Sequence, residues 1–233
     1  MVDLTAEMAQ LLASLGPARP GQARVVQFVA ATSGEGTSTV ARELARFAGG
    51  RARRPVWLID LDLMNAPQYT AVAADPARYG ALGRATAASP DGSAFFTVQP
   101  PTQGADGKSW RDSRYLIAHP VGGANFWVTR FRREALIGEQ SVHVMPTGDY
   151  WNALRKHAEL VVIDAPAAER SRVAMTIAPF VDFTILVVAA DGGDASAPAA
   201  LRDALQAAGG QCAGIFFNRA RVETPGFLKA FLP

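Results

Sequence analysis

One stretch decides the fold of this chain: the apolar run Val25-Val26-Gln27-Phe28-Val29-Ala30, followed at once by Ala31-Thr32-Ser33-Gly34-Glu35-Gly36-Thr37-Ser38-Thr39. The run has the length of a buried strand, and the residues behind it have the layout of a phosphate-binding loop, G-x-x-x-x-G-K-[ST]. Such a loop surrounds phosphate oxygens with backbone N–H groups and a helix N-terminus, while a lysine neutralises charge and a hydroxyl binds Mg²⁺. Here Thr37 stands at the lysine position, so the loop keeps its amides and the Ser38 hydroxyl but lacks the charge.

Four more apolar runs follow the loop at intervals that leave room for helices. They span residues 55–60, 160–164, 183–188 and 213–218, and the loop itself leads into a predicted helix at about 39–47. Runs that are apolar on both faces and separated by helices are typical of a parallel sheet that is covered on both sides. We therefore expect a doubly wound α/β fold, a mostly parallel sheet in a Rossmann-type arrangement of three layers, as in P-loop NTPases.

The N-terminal residues 1–16 carry an apolar stripe at helical spacing and end in a glycine. This pattern predicts a short helix that either packs on the following domain or binds a partner. Residues 17–24 contain two prolines and a glycine, a composition typical of a linker. The stripe consists of Leu4, Met8, Leu11, Leu12 and Leu15.

Residues 25–233 are expected to form a single domain. Its regular alternation is interrupted at about 86–125 by a segment rich in Pro, Gly, Ser and Thr, which predicts an irregular insertion that includes a mobile surface loop. Near its end, the runs 114–118 and 126–129 flank Gly122-Gly123, and this arrangement predicts a β-hairpin.

The charge balance and the hydropathy exclude several classes of protein. The 23 Lys and Arg residues nearly balance the 21 Asp and Glu residues, so no basic field indicates binding to nucleic acid. The N-terminus lacks the pattern of a signal peptide, and no run approaches the ~18 apolar residues of a membrane span. We therefore expect a cytoplasmic protein.

Polar side chains end three of the predicted strands. Asp60 and Asp62 close the second run, Asp164 closes the third, and Asn218 closes the last. Ligands of doubly wound sheets bind at the carboxyl ends of the strands, and aspartates there hold Mg²⁺ and orient the nucleophile in phosphoryl-transfer sites. The sequence thus predicts one site formed by the loop and these strand ends.

These motifs resemble those of the MinD/ParA-type deviant P-loop ATPases, and within them the cytoplasmic, tyrosine-kinase-like ATPase domain of bacterial capsule and exopolysaccharide biosynthesis proteins. Residues 34–39 resemble the G-E-G-K-S-T of that group, and residues 58–64 its L-I-D-x-D-x-R. Residues 161–167 are similar to V-I-I-D-x-P-P, and residues 214–219 to G-x-x-x-N-R. The resemblance covers residues 25–220 and is weakest between 67 and 140.

The resemblance implies a role for each matched position. ATP or ADP would bind with Mg²⁺, whose site would include Ser38 and Asp60. Asp60, Asp62 and Asp164 would be the catalytic residues, with Asp62 and Asp164 activating water or a hydroxyl, and Asn218 would bind adenine. The nucleotide-binding positions would be Ser33, Gly34, Glu35, Gly36, Thr37, Ser38, Thr39, Asn218 and Arg219.

Departures from the family pattern indicate weak catalysis. No tyrosine follows Tyr150, whereas the kinases phosphorylate themselves on a C-terminal tyrosine cluster. A charge-assisted hydrogen bond contributes roughly 1.5–3 kcal/mol, so we expect weak or absent nucleotide binding and little or no hydrolysis. The other departures are Thr37 and Thr32 at two lysine positions, Met64 at an arginine, and Glu7, Gln10 and Ala13 at the oligomerisation motif E-x-x-R-x-x-R.

A nearby arginine is a candidate replacement for the missing charge. Arg42 and Arg46 lie on the predicted helix of the loop, and Arg170 and Arg172 follow Asp164. The second pair is favoured, because the segment after that strand end faces the phosphates in the related ATPases.

By resemblance, the chain is a degenerate kinase-like P-loop protein that acts as a regulatory or scaffolding subunit of bacterial exopolysaccharide synthesis or export. Its partner would be the cytoplasmic face of a membrane polysaccharide co-polymerase, which would recruit the chain to the inner membrane, so that membrane contact would be peripheral. The resemblance also allows a homodimer. Two alternatives stay open: an active MinD/ParA-type ATPase that uses a replacement arginine, and a purely structural interaction module.

Overall fold

A computed structural model describes residues 3–16, 18, 20–104, 107–191 and 196–220 of the chain. The predicted linker is described except at positions 17 and 19, and the expected insertion except at 105 and 106. Residues 221–233, the last part of the expected domain, lie outside the described residues.

A mainly parallel sheet of eight strands forms the centre of the molecule. Six neighbouring strands run parallel, and two further strands pair antiparallel at one edge. In spatial order the strands are Cys212–Asn218 (β10), Phe183–Ala189 (β9), Arg24–Val29 (β1), Leu160–Asp164 (β8), Val56–Asp60 (β2), Phe126–Phe131 (β6), Leu116–Val121 (β5) and Thr86–Ala87 (β3). A separate antiparallel pair is formed by Phe96–Gln99 (β4) and Ser141–Val144 (β7).

Helices and two apolar clusters cover both faces of the sheet. One cluster joins the sheet to α1 and α2, and the other joins it to α5, α6 and α7. The predicted three-layer, doubly wound fold is therefore confirmed. The helices are Thr5–Ser14 (α1), Thr37–Gly49 (α2), Pro67–Ala74 (α3), Pro76–Tyr79 (α4), Asp149–His157 (α5), Val173–Ile177 (α6) and Ser196–Ala207 (α7), with 3-10 turns at Asp112–Tyr115, Arg133–Ala135 and Ala178–Phe180. Within the described ranges, no helix combines the length and the apolar character that crossing a bilayer requires.

The central strands are apolar on both faces because both faces are covered. Every residue of β2 and β8 is buried, as expected for strands inside a parallel sheet. The register pairs Asp60 with Asp164 and also pairs Phe28 with Asp164. As a result, two acidic strand ends lie side by side next to the strand that leads into the loop.

The N-terminal helix packs on the domain. Met8 in α1 is fully buried against the α2 side of the sheet, and Leu15 just after α1 is buried as well. The Asp3 carboxylate accepts the Thr5 N–H at 3.0 Å and so satisfies a free amide at the helix start. Of the two interpretations of this helix, the structure supports packing on the domain.

The expected irregular insertion is more regular than its composition indicated. Between residues 86 and 125 the structure contains β3, β4, a 3-10 turn and β5, and the buried Phe95, Phe96 and Tyr115 belong to the core. The expectation of an irregular segment was wrong for these parts, because aromatic residues between the turns anchor them. The predicted hairpin is confirmed as β5 and β6, although β5 begins at Leu116.

Replacement of Met8 by alanine tests the packing of α1. Met8 is fully buried, so Met8→Ala should lower the free energy of unfolding by about 2–5 kcal/mol. Urea unfolding followed by circular dichroism measures this loss. The exposed neighbour Gln10 supplies a control, Gln10→Ala, which should cost less than ~0.5 kcal/mol. Equal stability of both variants would contradict the packing of α1.

Candidate functional site

The predicted phosphate loop connects β1 to α2 at a sharp strand-to-helix turn. Gly34 and Gly36 adopt left-handed backbone conformations with φ of 89° and 88°. The positive φ at Gly36 favours glycine, and a Cβ atom at this position would also have to displace the Asn218 side-chain amide. The helix begins at Thr37, two residues earlier than predicted, because Gly36 makes the turn that starts it. The first N–H groups of α2 therefore point out of the helix start, as in an anion site.

Three predicted binding residues hold the loop in shape. The Glu35 carboxylate accepts the Thr32 hydroxyl at 2.7 Å and also accepts the Ala189 N–H. The Asn218 amide donates to the Glu35 carbonyl at 2.8 Å, and the Arg219 guanidinium donates to the Gly34 carbonyl at 2.6 Å. These bonds tie the loop to the ends of β9 and β10. The adenine-binding role of Asn218 stays a prediction.

A cleft of about 470 Å³ brings most of the predicted site residues together. The other three predicted positions lie on the far side of the loop: Glu35 lines a second cavity, Asn218 a third, and Arg219 both of these. The residues that line the cleft include Thr32, Ser33, Gly34, Gly36, Thr37, Ser38, Thr39, Asp60, Asp62, Asp164 and Arg170.

Asp60 and Asp164 form a buried acidic pair behind the loop, each 3% exposed. Asp60 accepts the N–H groups of Asp62 and Gln68 at 2.9 and 2.8 Å. The Oδ2 atom of Asp164 accepts the Gln68 side-chain amide at 2.6 Å. Its Oδ1 atom is buried and has no hydrogen-bond partner in the described part of the chain.

Burial and mutual repulsion disfavour the charged forms of this pair. Burial raises the pKa of Asp60 well above its ordinary value, and the neighbouring Asp164 carboxylate raises it further. Burial also raises the pKa of Asp164 to about 6, against the opposing effect of hydrogen bonds from Ser38 and Gln68. Two buried carboxylates that repel each other destabilise the site, and the charge of Arg42 offsets this at Asp164 only in part.

The donor set fits a magnesium ion. The unpartnered Asp164 oxygen, the Asp60 carboxylate and the Ser38 hydroxyl are hard oxygen ligands of the kind that Mg²⁺ prefers. Among the described residues, no group of three or more His, Cys, Asp and Glu side chains could hold a metal ion. Water or ligand phosphates would therefore complete the shell, as is usual for Mg²⁺.

Gln68 is a site residue that the sequence analysis missed. Its side chain in α3 is fully buried and donates to Asp164 and to the Ser38 carbonyl at 2.8 Å, while its oxygen accepts from Arg42 at 2.9 Å. Gln68 thus links the acidic pair to the loop helix. No signal in the sequence indicated this, since a lone glutamine near the start of a helix carries no motif.

The four candidate arginines differ in their contacts and in whether they line the cleft. Arg170 lines the cleft and lies 3.6 Å from the Asp62 carboxylate. Arg42 donates to the hydroxyl of Tyr79 and to Gln68, and Arg46 pairs with Glu43. The guanidinium groups of these two arginines are thus engaged by other side chains, and neither residue lines the cleft.

Arg172 precedes the first residue of α6 and does not line the cleft. Of the four candidates, Arg170 is therefore the one placed to meet a phosphate.

Replacement of Asp164 by asparagine tests the cost of the buried charge. Folding raises the pKa of Asp164 from 3.8 to about 6. Between these values the unfolded chain releases the proton more readily than the native state does. The native state therefore loses stability as the pH rises through 6. With metal chelated by EDTA, Asp164→Asn should therefore raise the free energy of unfolding at pH 8 by roughly 3 kcal/mol.

Urea unfolding between pH 4 and pH 8 measures this effect, because the loss of stability falls between the two pKa values. The variant should lose less stability than the wild type over this range, and Asp203→Asn at an exposed position should behave as the wild type does. The same pH dependence in Asp164→Asn and in the wild type would contradict a raised pKa.

Solved structures similar to this chain include tyrosine kinase domains. The kinase domain of the Escherichia coli tyrosine kinase ETK matches with a TM-score of 0.59 and 16% identity, over 95% of this chain and 76% of that chain. The chimerical protein CapA2B2 matches with a TM-score of 0.56 and 14% identity, over 93% and 83% of the two chains. The VpsO kinase domain matches with a TM-score of 0.55 and 19% identity, over 94% and 96%.

No family model and no curated protein matches the sequence. At identities below 20%, these similarities show a shared fold and nothing further. The chain therefore has the fold of bacterial tyrosine kinase domains, as the motifs of the loop and the strand ends predicted.

Proposed function

We propose that this chain is a nucleotide-binding regulatory or scaffolding subunit built on a tyrosine kinase fold, with little or no phosphoryl transfer. One observation carries the proposal: the loop has the backbone shape of a phosphate site, yet Thr37 begins its helix where the phosphate-binding lysine belongs. The arginine that lines the same cleft, Arg170, is paired with Asp62. The cleft thus offers amides and a helix start to phosphates, and little free positive charge.

Binding and catalysis depend on different parts of such a site. Amides at a helix start attract a pyrophosphate without any side-chain charge. Ser38, Asp60 and Asp164 would hold Mg²⁺, which supplies neutralising charge to the phosphates when it is bound. Phosphoryl transfer also needs a positive charge placed to stabilise the negative charge that develops in the transition state. Each 1.36 kcal/mol of that stabilisation that is lost slows the reaction tenfold. We therefore expect weak binding of ADP or ATP and very slow turnover.

The process in which this subunit acts is inferred from the resemblance of its motifs to those of the exopolysaccharide ATPase domains. The similarity of its fold to tyrosine kinase domains is consistent with this inference. We propose that it acts in bacterial exopolysaccharide synthesis or export, bound to the cytoplasmic face of a membrane co-polymerase. Fold similarity alone is a weak argument for function. Co-purification of the tagged chain with a membrane polysaccharide co-polymerase from its own cells tests the partner.

A second candidate is a working ATPase of the MinD/ParA type, and the position of Arg170 in the cleft favours it. In this case Arg170 would leave Asp62 and contact the phosphates during turnover. Steady-state phosphate release, measured with and without membranes, separates the two candidates. Turnover above about one per minute that is lost in Arg170→Ala would support the ATPase.

Restoring the missing lysine tests the proposed function directly. In Thr37→Lys, a charge-assisted bond of about 1.5–3 kcal/mol should raise the affinity for ADP and Mg²⁺ by about 10- to 100-fold. Isothermal titration calorimetry measures the affinity. Thr70→Lys, on the exposed surface of α3, is the matched control and should leave it unchanged. No ADP binding by either the wild type or Thr37→Lys would show that the loop is not a phosphate site.

The two arginines after β8 should differ in their effect on nucleotide binding. Arg170 lines the cleft and is 56% exposed, so Arg170→Ala should weaken ADP binding by about fivefold, the size of a solvent-screened ion pair. Arg172→Ala should leave the affinity unchanged, because Arg172 does not line the cleft. Fluorescence titration with a labelled ADP measures both. Equal effects of the two substitutions would exclude Arg170 as the replacement cation.

A further inference from the structure

A glutamate side chain of this protein already accepts one of the backbone N–H groups of the phosphate loop. The Oε1 atom of Glu169 accepts the backbone N–H of Ser33 at 2.7 Å. Ser33 is a loop residue and lines the cleft. The hydrogen bond from Ser33 lowers the pKa of Glu169, so the carboxylate is charged at neutral pH. The loop therefore already holds one anion.

Backbone contacts hold Glu169 in this position. The Ala168 N–H donates to the Ala30 carbonyl at 2.9 Å, and the Glu169 N–H donates to the Ala31 carbonyl at 3.1 Å. These two bonds fix the segment after β8 against the first part of the loop. The Ser33 contact is thus built on a fixed backbone, although the side chain itself is exposed.

The charge of Arg170 also lowers the pKa of Glu169, yet this arginine is shared with Asp62 and offsets the Glu169 charge only in part. Thr37 brings no charge, and the next residue along the chain, Arg170, is paired with Asp62 at 3.6 Å. On the other side of the loop, Arg219 lies 3.5 Å from Asp191 and donates to a loop carbonyl. A phosphate that approaches Ser33 therefore meets a carboxylate that already occupies the donor and repels it.

The position of Ser33 along the loop decides which phosphate is affected. The helix start at residues 36–38 lies at one end of the loop, and Ser33 lies toward the other end. A diphosphate that is bound at the helix start leaves the contact between Ser33 and Glu169 intact. A third phosphate that extends along the loop toward Ser33 would have to displace the carboxylate.

We infer that Glu169 is a specificity-determining residue of the phosphate loop, one that disfavours a third phosphate and makes the cleft selective for nucleoside diphosphates over triphosphates. This inference rests on the proposed nucleotide-binding function. It also gives a contribution to slow hydrolysis that is independent of Thr37, because the triphosphate would occupy a smaller fraction of the sites. Glu169 acts here through charge and through competition for one N–H group.

Isosteric replacement separates charge from shape. Glu169→Gln keeps a side-chain oxygen that can accept the Ser33 N–H but removes the charge, and Glu169→Ala removes both. Glu159→Gln is the matched control, since the Glu159 carboxylate accepts the backbone N–H groups of Arg53 and Arg54 in the same manner, on a contact that is not part of the cleft. The ligands are ADP and a non-hydrolysable ATP analogue, both with Mg²⁺, measured by calorimetry.

The expected result is a change in selectivity. The wild type and Glu159→Gln should bind ADP more tightly than the ATP analogue. Glu169→Gln should raise the affinity for the analogue by about fivefold and that for ADP by less than twofold, and Glu169→Ala should raise the affinity for the analogue at least as much.

Two results would overturn the inference while leaving the proposed function in place. One is a wild type that binds the ATP analogue more tightly than ADP. The other is ADP binding with an unchanged ratio of the two affinities in both Glu169 variants. If neither nucleotide binds to the wild type or to either Glu169 variant, the proposed function itself fails, and the inference fails with it.

Discussion

Parallel pairing of β8 with both β1 and β2 is the constraint on which the site depends. The pairing places the last residues of β2 and β8, Asp60 and Asp164, side by side, next to the strand that feeds the loop. Both strands are buried along their whole length, and Asp60 and Asp164 at their ends are buried as well. The two carboxylates are held close together away from solvent, and the raised pKa of each follows from that placement.

The charge balance of the cleft distinguishes this chain from an efficient phosphoryl-transfer site. Its acidic groups and its loop amides are in place, whereas Thr37 leaves the phosphates without their usual lysine. Glu169 adds an anion at Ser33, and Arg170 is engaged by Asp62. We expect a site of this composition to bind a metal ion and a short phosphate chain more readily than it stabilises the charge of a transition state. These properties are the ones that the proposed regulatory or scaffolding subunit requires.

Patterns of apolar residues predicted most of the sheet, because strands that are buried on both faces are apolar along most of their length. The loop was predictable from its residue types. Gly34 and Gly36 adopt the positive φ that a phosphate-binding loop requires. The segment 86–125 was predicted less well. Its prolines and glycines suggested irregular structure, yet Phe95, Phe96 and Tyr115 bury enough apolar surface to order the strands between the turns.

The sequence by itself determined the order of strands and helices, the loop and the acidic strand ends, because these depend on local periodicity and on residue type. Only the tertiary structure decided what those residues contact. Gln68 reaches Asp164 across 96 positions of the chain, and Glu169 reaches Ser33 across 136. Asn218 and Arg219 hold the loop by its carbonyls, although their motif suggested contact with a ligand. Such contacts depend on which strands become neighbours, and local spacing carries no information about that.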